Sequence, residues 1–251
     1  MSVLISCETG GDRTPSWLID SGNSTPHGSS SLGESLLDPA ARYAARKMAA
    51  RLSVPLIENE YAADLVDVTR SARHRSVFPP SARRFGDETR HRLLAEIHHP
   101  YRQRIQTAIA ELLHQHPVVV HLSIRSFVSR KNGTLRRTDV GLLYDPSRED
   151  EVDFCLDWID EMYEEVPMVR VRRNYPRRGT TESLVTAMRS AFPEQTFIGI
   201  EVLLNRAWAA RPVLRRDEAI DGMCRSLEML LELESDAEFG DASPVPQQHA
   251  A

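Results

Sequence analysis

Residues 117–124 read PVVVHLSI, an almost wholly apolar run that is rich in β-branched side chains. Such a run has few polar positions that could face water, which is typical of a strand buried on both faces of a sheet. Further apolar runs of strand length alternate along the chain with longer stretches of helical period. This alternation predicts a single α/β domain with a mixed, mostly parallel sheet flanked by helices.

The same patterns predict individual elements on both sides of the central strand. The other predicted strands are 3–6, 54–57, 64–68, 139–144, 168–172 and 196–203. The predicted helices are 39–52, 87–115 with a break near Pro100, 149–164, 180–191 and 215–233. Asp38 is the predicted N-cap of the helix that Pro39 begins. Residues 20–35 are rich in Gly, Ser and Pro, which predicts a loop. Segment 235–251 is polar and contains proline, which predicts a disordered tail. The domain is therefore expected to span 1–234.

Bulk composition limits the classes of function. A net charge of −5 and a pI near 6.0 argue against nucleic acid as a partner, because phosphate binding needs a basic surface. The three cysteines are widely spaced and form no CxxC pair, which indicates a reducing compartment. Neither a signal peptide nor a membrane-spanning segment is predicted. We therefore expect a cytoplasmic protein without a nucleic-acid or membrane partner, and the sequence leaves its oligomeric state open.

Polar side chains follow three of the predicted strands. The run 8–12, ETGGD, follows the first strand, and His121, Ser123 and Arg125 share one face of the central strand. Glu201 lies inside the apolar run IGIEVLL of the last strand. Because ligands bind at the carboxyl ends of strands in open α/β sheets, these residues predict one site.

Each of these residues also has a plainer interpretation. Glu8 and Asp12 would serve equally well as loop carboxylates that cap a helix. His121 lies in an apolar strand, which favours a hydrogen-bonded core histidine over a ligand. A site role is favoured for Glu201, since a buried carboxylate is costly unless it is paired.

Eight segments, taken in chain order, resemble the N-formylglutamate amidohydrolase family. They are SCETGGDRTP, DPAARYAARKMAARL, LVDVTRS, HHPYR, HLSIRSF, RRTDVGLLYDPSRE, RRNYPRRG and IGIEVLLN, and they extend from Val3 to about Arg206. The resemblance implies a fold like that of zinc carboxypeptidases and other phosphorylase/hydrolase-like proteins. It also implies a zinc-bound water that cleaves the amide of a formylated amino acid. The residues that match family positions, and for which it implies ligand contacts, are Arg70, Arg102 and Asn174.

The chain departs from the family pattern where the resemblance implies a metal. Thr9 and Arg125 stand at histidine positions, Leu203 stands at the second of two glutamate positions, and Arg177 stands where the family has a tyrosine. A catalytic zinc needs about three imidazole, thiolate or carboxylate ligands. A guanidinium about 4 Å from a divalent cation costs about 8 kcal/mol at an effective dielectric constant near 20. We therefore expect a site without a metal.

The expected function is a degenerate family member that binds a small anionic, amino-acid-like ligand without zinc hydrolysis. Arg125 is expected to occupy the place of the zinc and to pair with Glu8, Glu201 or a ligand carboxylate. The other assignments are Glu201 as the candidate catalytic residue, Arg70, Arg102 and Asn174 as ligand-binding residues, and Glu8, Thr9 and Asp12 as residues that line the site.

Two alternatives remain at this stage. One is an active amidohydrolase with a rearranged zinc site, whose ligands would be Glu8, Asp12, His121 and Glu201. The other is a protein-interaction module that works through its long helices rather than its cleft. The arginine run 170–178 is expected to form a solvated face.

Overall fold

The computed structural model of the protein describes residues 1–20 and 37–240. The strands of this part are β1 Ser2–Cys7, β2 Leu56–Glu58, β3 Val119–Phe127, β4 Arg130–Lys131, β5 Thr134–Leu135, β6 Val140–Leu143, β7 Val171–Arg173 and β8 Phe197–Asn205. The helices are α1 Ser16–Asp20, α2 Pro39–Leu52, α3 Asp87–Leu93, α4 His99–Leu113, α5 Glu149–Glu165, α6 Leu184–Ala191 and α7 Val213–Gly240. A π turn, Leu94–His98, joins α3 to α4.

The main sheet has six strands in the order β2-β1-β3-β8-β6-β7. Strands β2, β1, β3 and β8 run parallel, β6 is antiparallel to β8, and β7 is parallel to β6. The sheet is therefore mixed and mostly parallel, as predicted, and β3 lies inside it. Strands β4 and β5 form a separate hairpin, whose turn residues Asn132 and Gly133 both have positive φ.

Helices cover both faces of the sheet. On one face, Val120, Leu122 and Ile124 of β3 belong to a hydrophobic core that includes residues of α2, α5 and α7. On the other face, Val119 joins a second core with residues of α4 and α6. This three-layer arrangement explains why β3 reads as a nearly continuous apolar run. None of the helices in the described ranges combines the length and apolar character that crossing a membrane requires.

Several predicted elements are confirmed and others are corrected. Helix α2 has the predicted bounds, and the carboxylate of Asp38 accepts a hydrogen bond from Ala41 N at 3.1 Å as its N-cap. The predicted strand at 64–68 is wrong, because these residues form turns whose apolar side chains are buried in the second core. Apolar burial without sheet pairing produced the same pattern as a strand.

Two further differences concern the helices: one is an expected break, and the other is the end of α7. The long helix is not broken at Pro100, which lies in the first turn of α4 directly after the π turn. Helix α7 continues to Gly240, past Ser235, where the tail was predicted to begin. The loop predicted at 20–35 and the rest of the tail fall on 21–36 and 241–251, which lie outside the described residues.

A buried ion pair connects β8 to helix α5 of the first face and to helix α6 of the second. Glu151 of α5 is fully buried, and its carboxylate accepts hydrogen bonds from Arg189 Nε at 2.8 Å and from Gly199 N at 3.1 Å. Arg189 also donates to Gly199 O at 2.7 Å. Burying this pair is tolerable because both charges are hydrogen-bonded on several sides. The network holds the strand that carries Glu201.

The Gly-Gly pair after β1 is required by close packing. A Cβ at Gly11 would lie 2.3 Å from the backbone of Asn59 and Glu60, the segment that follows β2. Only glycine permits this approach, because no flexible side chain is available to move aside. The pair therefore sets the path of the chain as it leaves the site end of β1.

We expect Gly11→Ala to lower the free energy of unfolding by about 2 kcal/mol or more, because backbone must move to accommodate the methyl group. Urea denaturation followed by circular dichroism measures the change. Gly86→Ala is the matched control, since a Cβ there meets nothing within 4 Å. Equal stability of the two variants would contradict the packing argument.

Candidate functional site

The predicted site residues of β1, β3 and β8 lie on the sheet face covered by α4 and α6. The strand register places Ser6 opposite Ser123, and Ser123 opposite Glu201. Glu8 follows the end of β1, and Arg125 lies two residues beyond Ser123 along β3. The carboxyl ends of three adjacent strands therefore bring Glu8, Arg125 and Glu201 together, as their strand positions predicted.

Glu8 is held by hydroxyl groups. Its side chain is fully buried and accepts hydrogen bonds from Ser6 Oγ at 2.6 Å and Ser123 Oγ at 2.8 Å. The Tyr101 hydroxyl lies 3.5 Å from the same carboxylate. Burial raises the pKa of Glu8, and the charge of Arg125 opposes this shift in part. The helix-capping interpretation is wrong for Glu8, since Asp38 caps the following helix.

His121 lies two residues before Ser123 on β3, further from the carboxyl ends of the strands. Its Nε2 atom is 2.8 Å from Ser6 Oγ, so Ser6 connects the imidazole to Glu8. Burial, with a further contribution from the charge of Arg189, lowers the pKa of His121 to about 3. His121 is thus a neutral core histidine, which agrees with the plainer of its two interpretations.

Glu201 is paired with two guanidinium groups. Its side chain is 1% exposed, and Oε2 contacts both Arg125 Nη1, at 3.5 Å, and Arg177 Nη2. Burial lowers the pKa of Arg177, and repulsion from Arg125 and Arg70 lowers it further, so these three arginines are within electrostatic reach of one another. The expected pairing of Arg125 with Glu201 is present.

Arg177 is the site residue that the sequence reasoning missed. The expectation of a solvated face for 170–178 is wrong for Arg177, whereas Arg170 is exposed as expected while it pairs with buried Asp139 at 2.9 Å. The sequence held a signal for Arg177. It stands where the family has a tyrosine, and a second arginine, Arg125, stands at a family histidine position. Arg172 and Arg173 of the same run are exposed, as expected.

Three arginine and asparagine positions of the family pattern have different roles in the structure. Arg102 Nη1 donates to the carbonyl oxygens of Val68 and Arg70, at 3.0 and 3.2 Å, so it fixes the loop after residue 67. Asn174 has φ of 48°, and its Oδ1 accepts from two backbone N–H groups. Both side chains are therefore used by the scaffold. Arg70 is half-buried and donates to Glu182 O at 3.0 Å.

The two remaining predicted lining residues differ in position. Asp12 is exposed, with its carboxylate 4.0 Å from Arg42 Nη1, so it lies at the surface and the lining assignment is wrong for it. Thr9 is partly buried, and its hydroxyl has no hydrogen-bond partner among the described residues. The Oε1 atom of Glu201 is buried and lacks a partner in the same way. Such unsatisfied buried oxygens are rare and costly.

The residues at the site do not fit the zinc ion that the resemblance implies. In the described ranges, no three His, Cys, Asp or Glu side chains are grouped so that they could hold a metal ion. The rearranged ligand set also fails, because Asp12 is at the surface and His121 is bonded to Ser6. Glu201 has two positive partners in place of a metal.

A mixed, mostly parallel sheet with helices on both faces and polar residues gathered at the carboxyl ends of its strands defines an open-sheet α/β protein with one candidate site. The model of one family, N-formylglutamate amidohydrolase, matches residues 1–216. The chain belongs to this family. No curated protein matches it.

Two solved structures show the same fold. The gene product Atu2144 from Agrobacterium tumefaciens is 21% identical, with 92% of each chain covered and a TM-score of 0.70. An N-formylglutamate amidohydrolase from Ralstonia eutropha is 12% identical, with 92% of this chain and 94% of that chain covered and a TM-score of 0.56. At these identities the likeness supports the fold alone.

The two arginines are expected to stabilise the fold through Glu201. Removing both, in Arg125→Met/Arg177→Met, leaves a buried charge without a partner and should cost about 3–5 kcal/mol of unfolding free energy. Each single variant should cost less, because one guanidinium remains. Urea titration gives the three values.

Adding Glu201→Gln to the double variant should recover most of the loss, because the unpaired charge is then gone. Arg13→Met, which breaks an exposed pair with Glu60, should cost less than about 1 kcal/mol. A double variant as stable as the wild type would contradict the role assigned to these arginines.

Glu8 makes stability depend on pH. Because its pKa is raised on folding, the folded state binds more protons than the unfolded state from about pH 4.5 upward. The free energy of unfolding should therefore fall as pH rises through the interval between the unfolded and folded pKa values. Glu8→Gln should reduce this fall, measured as the difference between wild type and variant at several pH values. A difference that does not change with pH would contradict the prediction.

Proposed function

We propose that the chain is a ligand-binding member of the family, which holds a small amino-acid-like anion without metal-dependent hydrolysis. The observation that carries the proposal is the convergence of Arg125 and Arg177 on one oxygen of Glu201. Their side chains are 24% and 27% exposed, so both remain accessible from solvent. Each guanidinium has five N–H groups, which leaves donors for a ligand carboxylate.

The charge balance of the site favours an anion. The two guanidinium groups carry two positive charges against the one negative charge of Glu201. The raised pKa of Glu8 limits the negative charge that it adds, because burial favours its neutral form. Arg70 adds positive potential near Arg177, which Asp67, 3.8 Å from Arg70 Nε, offsets in part. An anionic ligand would remove the excess positive charge.

The unpaired oxygen of Glu201 supports a second feature of the ligand. Oε1 is a buried acceptor whose hydrogen-bonding capacity no described residue uses. An N–H group placed next to the ligand carboxylate would satisfy it. Amino acids and N-acyl amino acids carry both groups, so they are the class of ligand we propose. Glu201 then serves as a binding residue rather than a catalytic one.

Hydrolysis is not part of the proposal, because the described side chains form no group that could hold a metal ion to activate water, and the unpaired Oε1 atom of Glu201 is assigned to the N–H group of the ligand. Arginine stays protonated and cannot act as a base, and neither oxygen of Glu8 is free of a hydroxyl partner. A cytoplasmic location belongs to the proposal as well. It is supported by the three cysteines, all of which are buried and unpaired.

Calorimetric titration with three related compounds tests the proposal: N-formyl-L-glutamate, glutarate, which lacks the N–H group, and N-formylglutamine amide, which lacks free carboxylates. The formylated acid should bind most tightly and the amide most weakly. Arg125→Met and Arg177→Met should each weaken binding by about tenfold or more, the value of a lost charge-assisted hydrogen bond. Arg51→Met, which breaks an exposed pair with Glu228 at the other end of α2, should bind as the wild type does.

Elemental analysis and a deformylation assay complete the test. The protein purified without added metal should contain little zinc and should release no formate, even with zinc supplied. Thr9→His/Arg125→His/Arg177→Tyr restores the family residues, and it should gain zinc binding. Near-stoichiometric zinc together with formate release in the unaltered protein would overturn the proposal.

A further inference from the structure

Strand β7 forms one edge of the main sheet, and none of the described residues pairs with its outer backbone groups. Arg170 O accepts a hydrogen bond from Val140 N at 3.2 Å, and Asn174 N donates to Leu142 O at 2.7 Å. The even-numbered residues of this segment therefore face β6. Because backbone groups alternate along a strand, the odd-numbered residues of β7 direct their N–H and C=O groups away from the sheet.

A groove of about 500 Å³ lies beside this edge. Helix α5 forms one wall and β7 forms the other, and the lining residues are Leu156, Ile159, Asp160, Tyr163, Val171, Arg172 and Arg173. Ile159 and Val171 are each 7% exposed and give the groove an apolar floor, whereas the Tyr163 ring is half exposed at its rim. A strand edge next to a helix is the arrangement in which an extended peptide adds to a sheet.

The charge of the groove favours an acidic occupant. Arg172 and Arg173 are exposed, and within the described ranges neither has a carboxylate within 4 Å, although most arginines near them are paired. Asp160 is the one acidic residue among the lining residues. This positive edge stands out in a chain of net charge −5. A second copy paired through β7 about a two-fold axis would bring like charges together, which disfavours self-association.

We propose that the groove between β7 and α5 is a docking site for an extended acidic peptide segment of a partner protein. The segment adds as a further strand, with backbone bonds to residues 171 and 173. On the α5 side its side chains pack on Ile159 and Val171 and pair with Arg173. On the opposite face of the added strand an acidic side chain pairs with Arg172, because successive side chains of a strand point to opposite faces. The site is separate from the ligand site at Glu201, so either proposal can fail without the other.

Selection from a library of random decapeptides on the full chain tests this proposal, with counter-selection on Arg172→Glu/Arg173→Glu. The enriched peptides should combine apolar residues with acidic residues. Fluorescence anisotropy with these peptides should show binding that falls by about tenfold or more in the charge-reversed variant and with N-methylated alternate amides. Arg75→Glu, an exposed arginine outside the groove, should leave binding unchanged.

Arg173→Pro gives a second test when it is compared with Arg173→Ala, because both variants remove the charge of Arg173 and only proline also removes its N–H group. The proline variant leaves the bonds to β6 in place, and it should weaken binding of the same peptides more than the alanine variant does. Three outcomes would overturn the proposal: no enrichment over the counter-selected variant, binding that tolerates N-methylation, or sedimentation showing a wild-type dimer that Arg173→Glu dissociates.

Discussion

A carboxylate that is charged in the middle of a sheet needs a positive partner, and Glu201 imposes this requirement on the site. Its side chain lies on β8 between β3 and β6, where water cannot solvate the charge. Arg125 meets the requirement from the neighbouring strand β3, and Arg177 meets it from the loop after β7. The path of that loop and the charge of the cleft both follow from this pairing.

Two buried carboxylates, Glu201 on β8 and Glu151 on the neighbouring helix α5, have separate sets of partners. Glu151 binds Arg189 and the backbone of Gly199, so its charge is compensated inside the core and is unavailable to a ligand. Glu201, which lies two residues after Gly199 on β8, is compensated by arginines that still reach solvent. The Glu151–Arg189 pair holds β8 in place. The arginines that pair with Glu201 leave N–H donors exposed at the carboxyl end of the strand. Glu8 differs from both, since hydroxyl groups rather than cations hold it.

The sequence predicted the architecture well because its strongest signals were local. The apolar run of β3, the cap at Asp38 and the alternation of strand and helix each depend on neighbouring residues. The prediction failed at 64–68 because burial under α4 without sheet pairing gives the same apolar pattern as a strand. For the site, strand alternation correctly grouped Arg125 with Glu201. Arg102 was assigned to the ligand because a sequence cannot show that backbone carbonyls already occupy its donors.

The proposed replacement of a metal by guanidinium groups would change the chemistry of the site more than it would change the ligand that the site attracts. A divalent cation and two arginines both attract a carboxylate, and both neutralise Glu201. A metal, however, also offers an open coordination position where a bound water loses its proton near neutral pH. Guanidinium donors bind oxygen only through N–H groups and do not acidify water in this way. The proposed site would therefore keep recognition of an anionic amino-acid derivative and lose the step that cleaves it, because binding requires only charge whereas hydrolysis requires an activated water.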